Sequence, residues 1–137
     1  MPHLHIEYTD NLTGLNEREL MRDINAVVCS HPSVLDEADV KARIARLNMD
    51  HVYIGTQPEK RGFVHVHLQL MAGRSTEAKK QMSDGIAEVL RRLVPQPADV
   101  MVQLSVDVSD MDKATSCLLY TSPSPRDLST SRMPSSA

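Results

Sequence analysis

Apolar and polar residues alternate in two segments of the chain that resemble each other. The first, Pro2 to Glu7, reads PHLHIE, and the second, Val64 to Gln69, reads VHVHLQ. Strict alternation over this length is typical of a strand with one buried and one exposed face. Each segment therefore predicts a half-buried strand whose histidines share the exposed face.

Helical spacing of apolar residues follows each of these strands. After the first, Leu20, Ile24, Val27 and Val28 recur at i, i+4, i+7 and i+8. Such spacing places an apolar stripe along one side of a helix. After the second strand, the residues with similar spacing are Met82, Ile86, Val89, Leu90 and Leu93. The pattern predicts one amphipathic helix in each half of the chain.

A further extended stretch follows each helix. The first runs from Val40 to Leu47, and in the second, apolar residues alternate strictly from Val100 to Val108. Val52 and Ile54 form an additional apolar pair, which we interpret as a short strand. The order β-α-β therefore occurs twice, which indicates an internal duplication.

This order predicts an α+β domain with a four-stranded sheet and both helices on one face of it, because crossovers between parallel strands are right-handed. The other face is too polar for a core, and a face this extensive often packs against a neighbouring subunit. We therefore expect a symmetric oligomer. The residues expected on the polar face are His3, His5, Lys41, Arg43, His65, His67, Gln69, Gln103 and Ser105.

Composition narrows the possible partners. Lys and Arg number 15 against 18 Asp and Glu, a formal net charge of −3. This mild acidity argues against a nucleic-acid binder, which needs a basic surface. No apolar run approaches the roughly 20 residues that cross a bilayer, so we expect no membrane partner. Before residue 117 the only cysteine is Cys29, which fits a reducing cytoplasm.

The C-terminal stretch from Cys117 to Ala137 differs from the rest of the chain. It is rich in Ser and Pro and shows neither helical nor strand periodicity. Its two ends resemble the translated ends of a sequencing adapter. We therefore expect one folded domain over residues 1–116 and an artefactual or disordered tail over residues 117–137.

Pro2 is the residue with the clearest chemical potential. A small second residue favours removal of Met1, which would leave a secondary amine at the amino terminus. An α-amino group has a pKa of about 7.7–8.0, which burial and nearby cations lower. A general base works best when its pKa lies near the working pH. Pro2 is therefore a candidate base, and an ordinary second residue is the alternative.

Several motifs together resemble the 5-carboxymethyl-2-hydroxymuconate Δ-isomerase family, which belongs to the amino-terminal-proline enzymes of the tautomerase superfamily. The resemblance runs from Pro2 to about Lys113. It implies that residues 1–116 are a tautomerase-like isomerase domain, which forms a homotrimer of β-α-β-β-α-β subunits. Members of the family shift a double bond by enol–keto proton transfer, without metal or organic cofactor. The residues that carry it are Pro2, Tyr8-Thr9-Asp10-Asn11, Phe63-Val64-His65-Val66 and Gly73-Arg74-Ser75.

The small-molecule substrates that this family implies carry several carboxylates, which cations must hold. Arg74 lies in a Gly-Arg-Ser turn before the second helix, with Ser75 as the expected N-cap. In the family an arginine of the second strand helps to bind substrate. Its place falls here on Lys41, and Arg43 is the next cation. Lysine offers a point charge where arginine offers a planar fork. For all three, a structural or solvated side chain is the alternative.

The paired histidines suggest a second kind of site. His3, His5, His65 and His67 would converge if their strands are neighbours, and imidazole is a good zinc ligand. No acidic residue or cysteine joins them in the pattern, so we predict no metal. The remaining alternatives are a relative that uses protonated Pro2 as a general acid and a non-catalytic trimeric binding module of the same fold.

Overall fold

The duplicated order that the sequence predicts is confirmed by the computed structural model, which describes residues 1–121 and 132–133. Both helices pack on one face of a mixed four-stranded sheet. The elements are β1 (His3–Thr9), α1 (Glu17–Cys29), β2 (Lys41–Leu47), β3 (Arg61–Met71), α2 (Thr76–Leu93) and β4 (Met101–Met111).

The strand order in the sheet is β2-β1-β3-β4. Each β-α-β unit contributes a parallel pair, and the two units join through the antiparallel pairing of β1 with β3. The register aligns His3 with Lys41, and aligns His5 with both Arg43 and His67. Because aligned residues point to the same side of a sheet, the polar side chains gather on the face opposite the helices, as predicted.

The core lies between the sheet and the two helices. The strands contribute alternate residues, and each helix contributes its predicted apolar stripe, except that Val27 and Leu93 lie at the margin of the core. Asn16 caps α1 by accepting a hydrogen bond from the Glu19 amide. The largest fully buried side chains are Leu4, Leu12, Leu20, Ile24, Leu68, Leu70, Met82, Ile86, Leu90, Val28, Val64 and Val66.

The predicted short strand at Val52 and Ile54 is wrong. Asn48 instead caps a 3-10 turn, Met49–His51, by accepting a hydrogen bond from the Asp50 amide. The amide of Val52 then bonds to the Met49 carbonyl, which commits the backbone to the turn rather than to a neighbouring strand. The chain continues as a loop to Lys60, which has a positive φ of 60°.

Beyond β4, Leu118–Leu119 (β5) pairs antiparallel with Arg132–Met133 (β6). Residues 122–131 and 134–137 lie outside the described residues, and so does most of the predicted tail. Its division from the domain at residue 116 stays a prediction. Within the part of the chain that the structure describes, no helix is both long and apolar enough to cross a membrane.

Candidate active site

A cleft of about 160 Å³ lies at the start of β1. Three parts of the chain form it: the amino terminus, the connection between α1 and β2, and the turn before α2. Pro2 is buried there, and its carbonyl accepts a hydrogen bond of 3.1 Å from the Lys41 amide. The pairing of β1 with β2 therefore fixes Pro2 in position. The lining residues are Met1, Pro2, Ser33, Val34, Leu35, Asp39 and Arg74.

Arg74 reaches this cleft because the turn before α2 is sharply bent. Gly73 has a φ of +122°, a value that residues with side chains rarely adopt. Ser75 caps α2 by accepting a hydrogen bond of 3.1 Å from the Ala78 amide, as predicted. The Arg74 guanidinium donates from Nε to Ser33 Oγ at 2.9 Å and from Nη2 to the Ser33 carbonyl at 3.3 Å. Pro2 and Arg74 are thus brought together at one cleft.

Lys41 and Arg43 occupy different surroundings, although they are only two residues apart. Lys41 Nζ donates a hydrogen bond of 2.9 Å to the Asp39 carbonyl, beside the cleft. The Arg43 guanidinium instead lies on the polar sheet face, 3.2 Å from His3 Nδ1 and 3.3 Å from His5 Nε2. The structure therefore places Lys41 near the amino terminus and directs Arg43 towards the histidines.

The charges around the cleft act on the terminal amine. Burial lowers the pKa of the Met1 amino group below its usual value. The Asp39 carboxylate acts in the opposite direction, while Arg74 and Lys41 lower this pKa further. The net effect favours the uncharged amine, which is the form that accepts a proton.

Ser33 and Asp39 are site residues that the sequence analysis did not identify. Both come from the connection between α1 and β2, and Ser33 meets Arg74 across 41 positions of sequence. Contacts of this kind depend on the path of the loop, which no periodicity records. The one signal in the sequence is the apolar pair Val34-Leu35 within a largely polar connection. In the structure Leu35 lines the cleft and is 96% exposed.

On the polar sheet face, histidines bond to neighbouring side chains. The pairs are His5 with Gln69 at 3.1 Å, His65 with Ser105 at 2.6 Å, and His67 with Ser109 at 2.7 Å. Burial, followed by the nearby Arg43 charge, lowers the pKa of His3. Among residues 1–121 and 132–133, no group of three or more His, Cys, Asp or Glu residues has a geometry that could hold a metal ion.

Comparison with known proteins identifies similar chains. The family model of 5-carboxymethyl-2-hydroxymuconate isomerase matches residues 2–118. The crystal structure of a 5-carboxymethyl-2-hydroxymuconate isomerase from Deinococcus radiodurans R1 is 30% identical, covers 88% of this chain and 88% of its own, and has a TM-score of 0.71. No curated protein sequence matches the chain.

Two more distant structures share the fold. A 5-carboxymethyl-2-hydroxymuconate delta-isomerase is 19% identical, with a TM-score of 0.70 over 95% of this chain and 91% of its own. A fused 4-OT, described as a symmetric trimer, is 16% identical, with a TM-score of 0.64 over 85% of this chain and 90% of its own.

Proposed function

Because the chain belongs to the 5-carboxymethyl-2-hydroxymuconate isomerase family, we propose that it isomerises a 2-hydroxymuconate-type polycarboxylate from its enol to its keto form, with Pro2 as the general base. The observation that carries this proposal is the cleft that joins Pro2 to Arg74. Removal of Met1 frees the Pro2 nitrogen and opens the space that Met1 occupies.

The reaction needs only proton transfer. The Pro2 nitrogen takes the proton of the 2-hydroxyl group, so that the O–H bond breaks and a C=O bond forms. The conjugated double bonds shift along the chain of the substrate, and Pro2 returns the proton to a carbon of that system. The substrate and the product therefore have the same atoms, and the enzyme ends in its starting protonation state.

The surroundings of the terminal amine support a base rather than an acid. Burial is the largest influence and lowers the pKa of the Met1 amine, and Arg74 and Lys41 lower it further against the opposing Asp39 carboxylate. The Pro2 nitrogen would be next to the same groups after processing, and a lowered pKa favours its free-base form. A relative with protonated Pro2 as a general acid would need the opposite balance of charges.

The carboxylates of the substrate would bind at Arg74 and Lys41. Ser33 holds Arg74 through two hydrogen bonds, and Arg74 Nη1 donates a third, of 3.5 Å, to the Met71 carbonyl. The second N–H groups of Nη1 and Nη2 can still meet the two oxygens of a carboxylate. The position of Lys41 beside the cleft supports it, rather than Arg43, in the role of the strand cation. Arg43, which contacts His3 and His5, would contribute to substrate binding only through the neighbouring sheet face.

We also propose a homotrimer. The sheet face opposite the helices carries polar side chains that are exposed or half-buried in one subunit. A fused 4-OT of the same fold is described as a symmetric trimer, which supports a trimer here.

The experiment that tests the proposal compares three proteins: the full chain, Pro2→Ala and Pro58→Ala. Pro58 is a matched control because it lies in the loop before β3, away from the cleft. Intact mass first establishes whether Met1 is removed, and ultraviolet absorbance then follows conversion of the enol of 2-hydroxymuconate to the ketone. We expect kcat/KM to fall roughly 10²- to 10⁴-fold in Pro2→Ala, the usual contribution of a general base, and to stay unchanged in Pro58→Ala.

Equal turnover by the full chain and Pro2→Ala would eliminate Pro2 as the base. If a fully processed wild-type trimer shows no turnover, the function moves to the non-catalytic binding module. Size-exclusion chromatography with light scattering measures the assembly in the same samples.

A further inference from the structure

A carboxylate lies in the cleft that is proposed to bind a polycarboxylate. Asp39 lines the cleft together with Pro2 and Arg74. An acidic side chain repels the substrate carboxylates by charge, so its presence at this place calls for a role in the reaction itself. Neither the family resemblance nor the sequence pattern assigns one to it.

The fold holds Asp39 firmly at the cleft. It is the last residue of a 3-10 turn, Glu37–Asp39, which Asp36 caps by accepting a hydrogen bond of 3.0 Å from the Ala38 amide. The Asp39 backbone carbonyl accepts from Lys41 Nζ at 2.9 Å. Its carboxylate oxygen Oδ1 accepts from the Tyr120 hydroxyl at 2.6 Å. Lys41 therefore bonds to the backbone of Asp39, while the carboxylate bonds to Tyr120 and keeps its negative charge at the cleft.

This charge acts on the amino terminus. After burial, Asp39 has the largest influence on the pKa of the Met1 amine, and it raises that pKa while Arg74 and Lys41 lower it. Pro2 must accept a proton in the first half of the reaction and release it in the second half. Arg74 and Lys41 favour the free amine before the transfer, whereas the Asp39 carboxylate favours the ammonium form while Pro2 carries the proton.

We propose that Asp39 is a positioning residue for the isomerisation, whose carboxylate stabilises the ammonium form of Pro2 while it carries the transferred proton and keeps the substrate carboxylates on the Arg74 side of the cleft. This inference rests on the proposed function. It uses the two opposite charges, Asp39 and Arg74, that line the same cleft as Pro2. The substrate then enters with a carboxylate towards Arg74 and its reacting hydroxyl towards Pro2.

The test measures the Pro2 amine directly. Protein labelled with ¹⁵N-proline is titrated by NMR as the full chain, Asp39→Asn, Asp39→Glu and Glu37→Gln. Glu37 is the matched control, because it belongs to the same 3-10 turn and is exposed but does not line the cleft. The neutral Asp39→Asn variant should lower the pKa of the Pro2 amine, because it removes the negative charge that favours the ammonium form. Asp39→Glu should restore it, and Glu37→Gln should leave it unchanged.

Kinetics give the second measurement. The acidic limb of the pH profile of kcat/KM should move to lower pH in Asp39→Asn by the same amount, and added salt should reduce the difference between this variant and the full chain. An unchanged Pro2 pKa in Asp39→Asn overturns the inference. So does a shift of equal size in Glu37→Gln, which would mean that any acid on the turn has the effect. If Pro2→Ala keeps full turnover, the proposed function fails, while the NMR titration still decides whether Asp39 acts on the amine.

Discussion

Arg74 is the residue whose side-chain shape matters most at the cleft. Ser33 and the Met71 carbonyl hold its guanidinium, and the second N–H groups of Nη1 and Nη2 can meet a carboxylate in one plane. Lysine keeps the charge but cannot form this fork. We expect Arg74→Lys to raise KM for 2-hydroxymuconate about 10-fold or more, the cost of losing one charge-assisted hydrogen bond. Steady-state kinetics measure it.

The control for this variant is Arg91→Lys. Arg91 is exposed on the last turn of α2 and pairs with Glu88 on the same helix. Arg91→Lys should therefore leave KM unchanged. A wild-type KM in Arg74→Lys would show that the planar guanidinium does not bind the substrate carboxylate, and that the role of Arg74 is to hold Ser33 in place.

The two cations of β2 provide a second test at the scale of single residues. Lys41→Met removes a charge beside the cleft, whereas Arg43→Met removes one that contacts His3 and His5. We expect kcat/KM to fall about 10-fold or more in Lys41→Met and less than about 3-fold in Arg43→Met. The reverse order would give Arg43 the role of the strand cation and would contradict the assignment of Lys41.

Pro2, Arg74 and Lys41 could be placed from the sequence because each lies in or next to a regular element, while their proposed roles follow from the family resemblance. Ser33 and Asp39 could not. They reach the cleft through a loop between α1 and β2 whose path depends on a 3-10 turn and on contacts with Arg74 and Lys41. A loop carries no repeating pattern of burial, so the sequence gives its composition but not its direction.

At the scale of elements, the two helices pack closely at Gly85. A Cβ atom on Gly85 of α2 would lie 2.6 Å from Val27 Cγ1 of α1. Val27 is β-branched and has little rotamer freedom in a helix, so the helices would have to move apart. Overpacking in Gly85→Ala should lower the free energy of unfolding by roughly 1–3 kcal/mol. The higher helix propensity of alanine offsets about 1 kcal/mol of this loss, so we expect a net loss of stability.

Urea denaturation of Gly85→Ala, Val27→Ala and the double variant Val27→Ala/Gly85→Ala measures this effect. The double variant should recover part of the loss relative to the sum of the two single variants, because the added methyl group then has room. An increase in stability in Gly85→Ala alone would contradict the predicted clash and would show that propensity outweighs it.

The strands and helices were predictable because each buries one face, so that their periods of about 2 and 3.6 residues are visible in the sequence. The pair Val52 and Ile54 has the same apolar character but forms no strand. Asn48 caps a 3-10 turn directly after β2. Val52 and Ile54 are half-buried, and two side chains can be half-buried without their backbone pairing with a neighbouring strand. Two apolar residues are too few to distinguish a strand from a packed loop.

At the scale of the whole molecule, the polar sheet face makes stability depend on pH. His3 lies beside Arg43, Lys41, His5 and the amino terminus, and burial followed by these charges lowers its pKa below the usual 6.5. The folded state therefore binds fewer protons at His3 than the unfolded state between its lowered pKa and about 6.5. The stability that neutral His3 contributes is present above about 6.5 and is lost as the pH falls towards the lowered pKa.

We therefore expect the melting temperature to fall between pH 7.5 and pH 5.5, and to fall less in His3→Gln, which cannot be protonated. His51→Gln is the matched control, because His51 is exposed in the 3-10 turn after β2 and should follow the full chain. If this face is also the subunit interface, protonation would bring like charges together around the symmetry axis, and the trimer should dissociate over the same range. Light scattering at both pH values detects this. Equal pH dependence in the full chain and His3→Gln would contradict the role of His3 and would place the acid sensitivity elsewhere in the molecule.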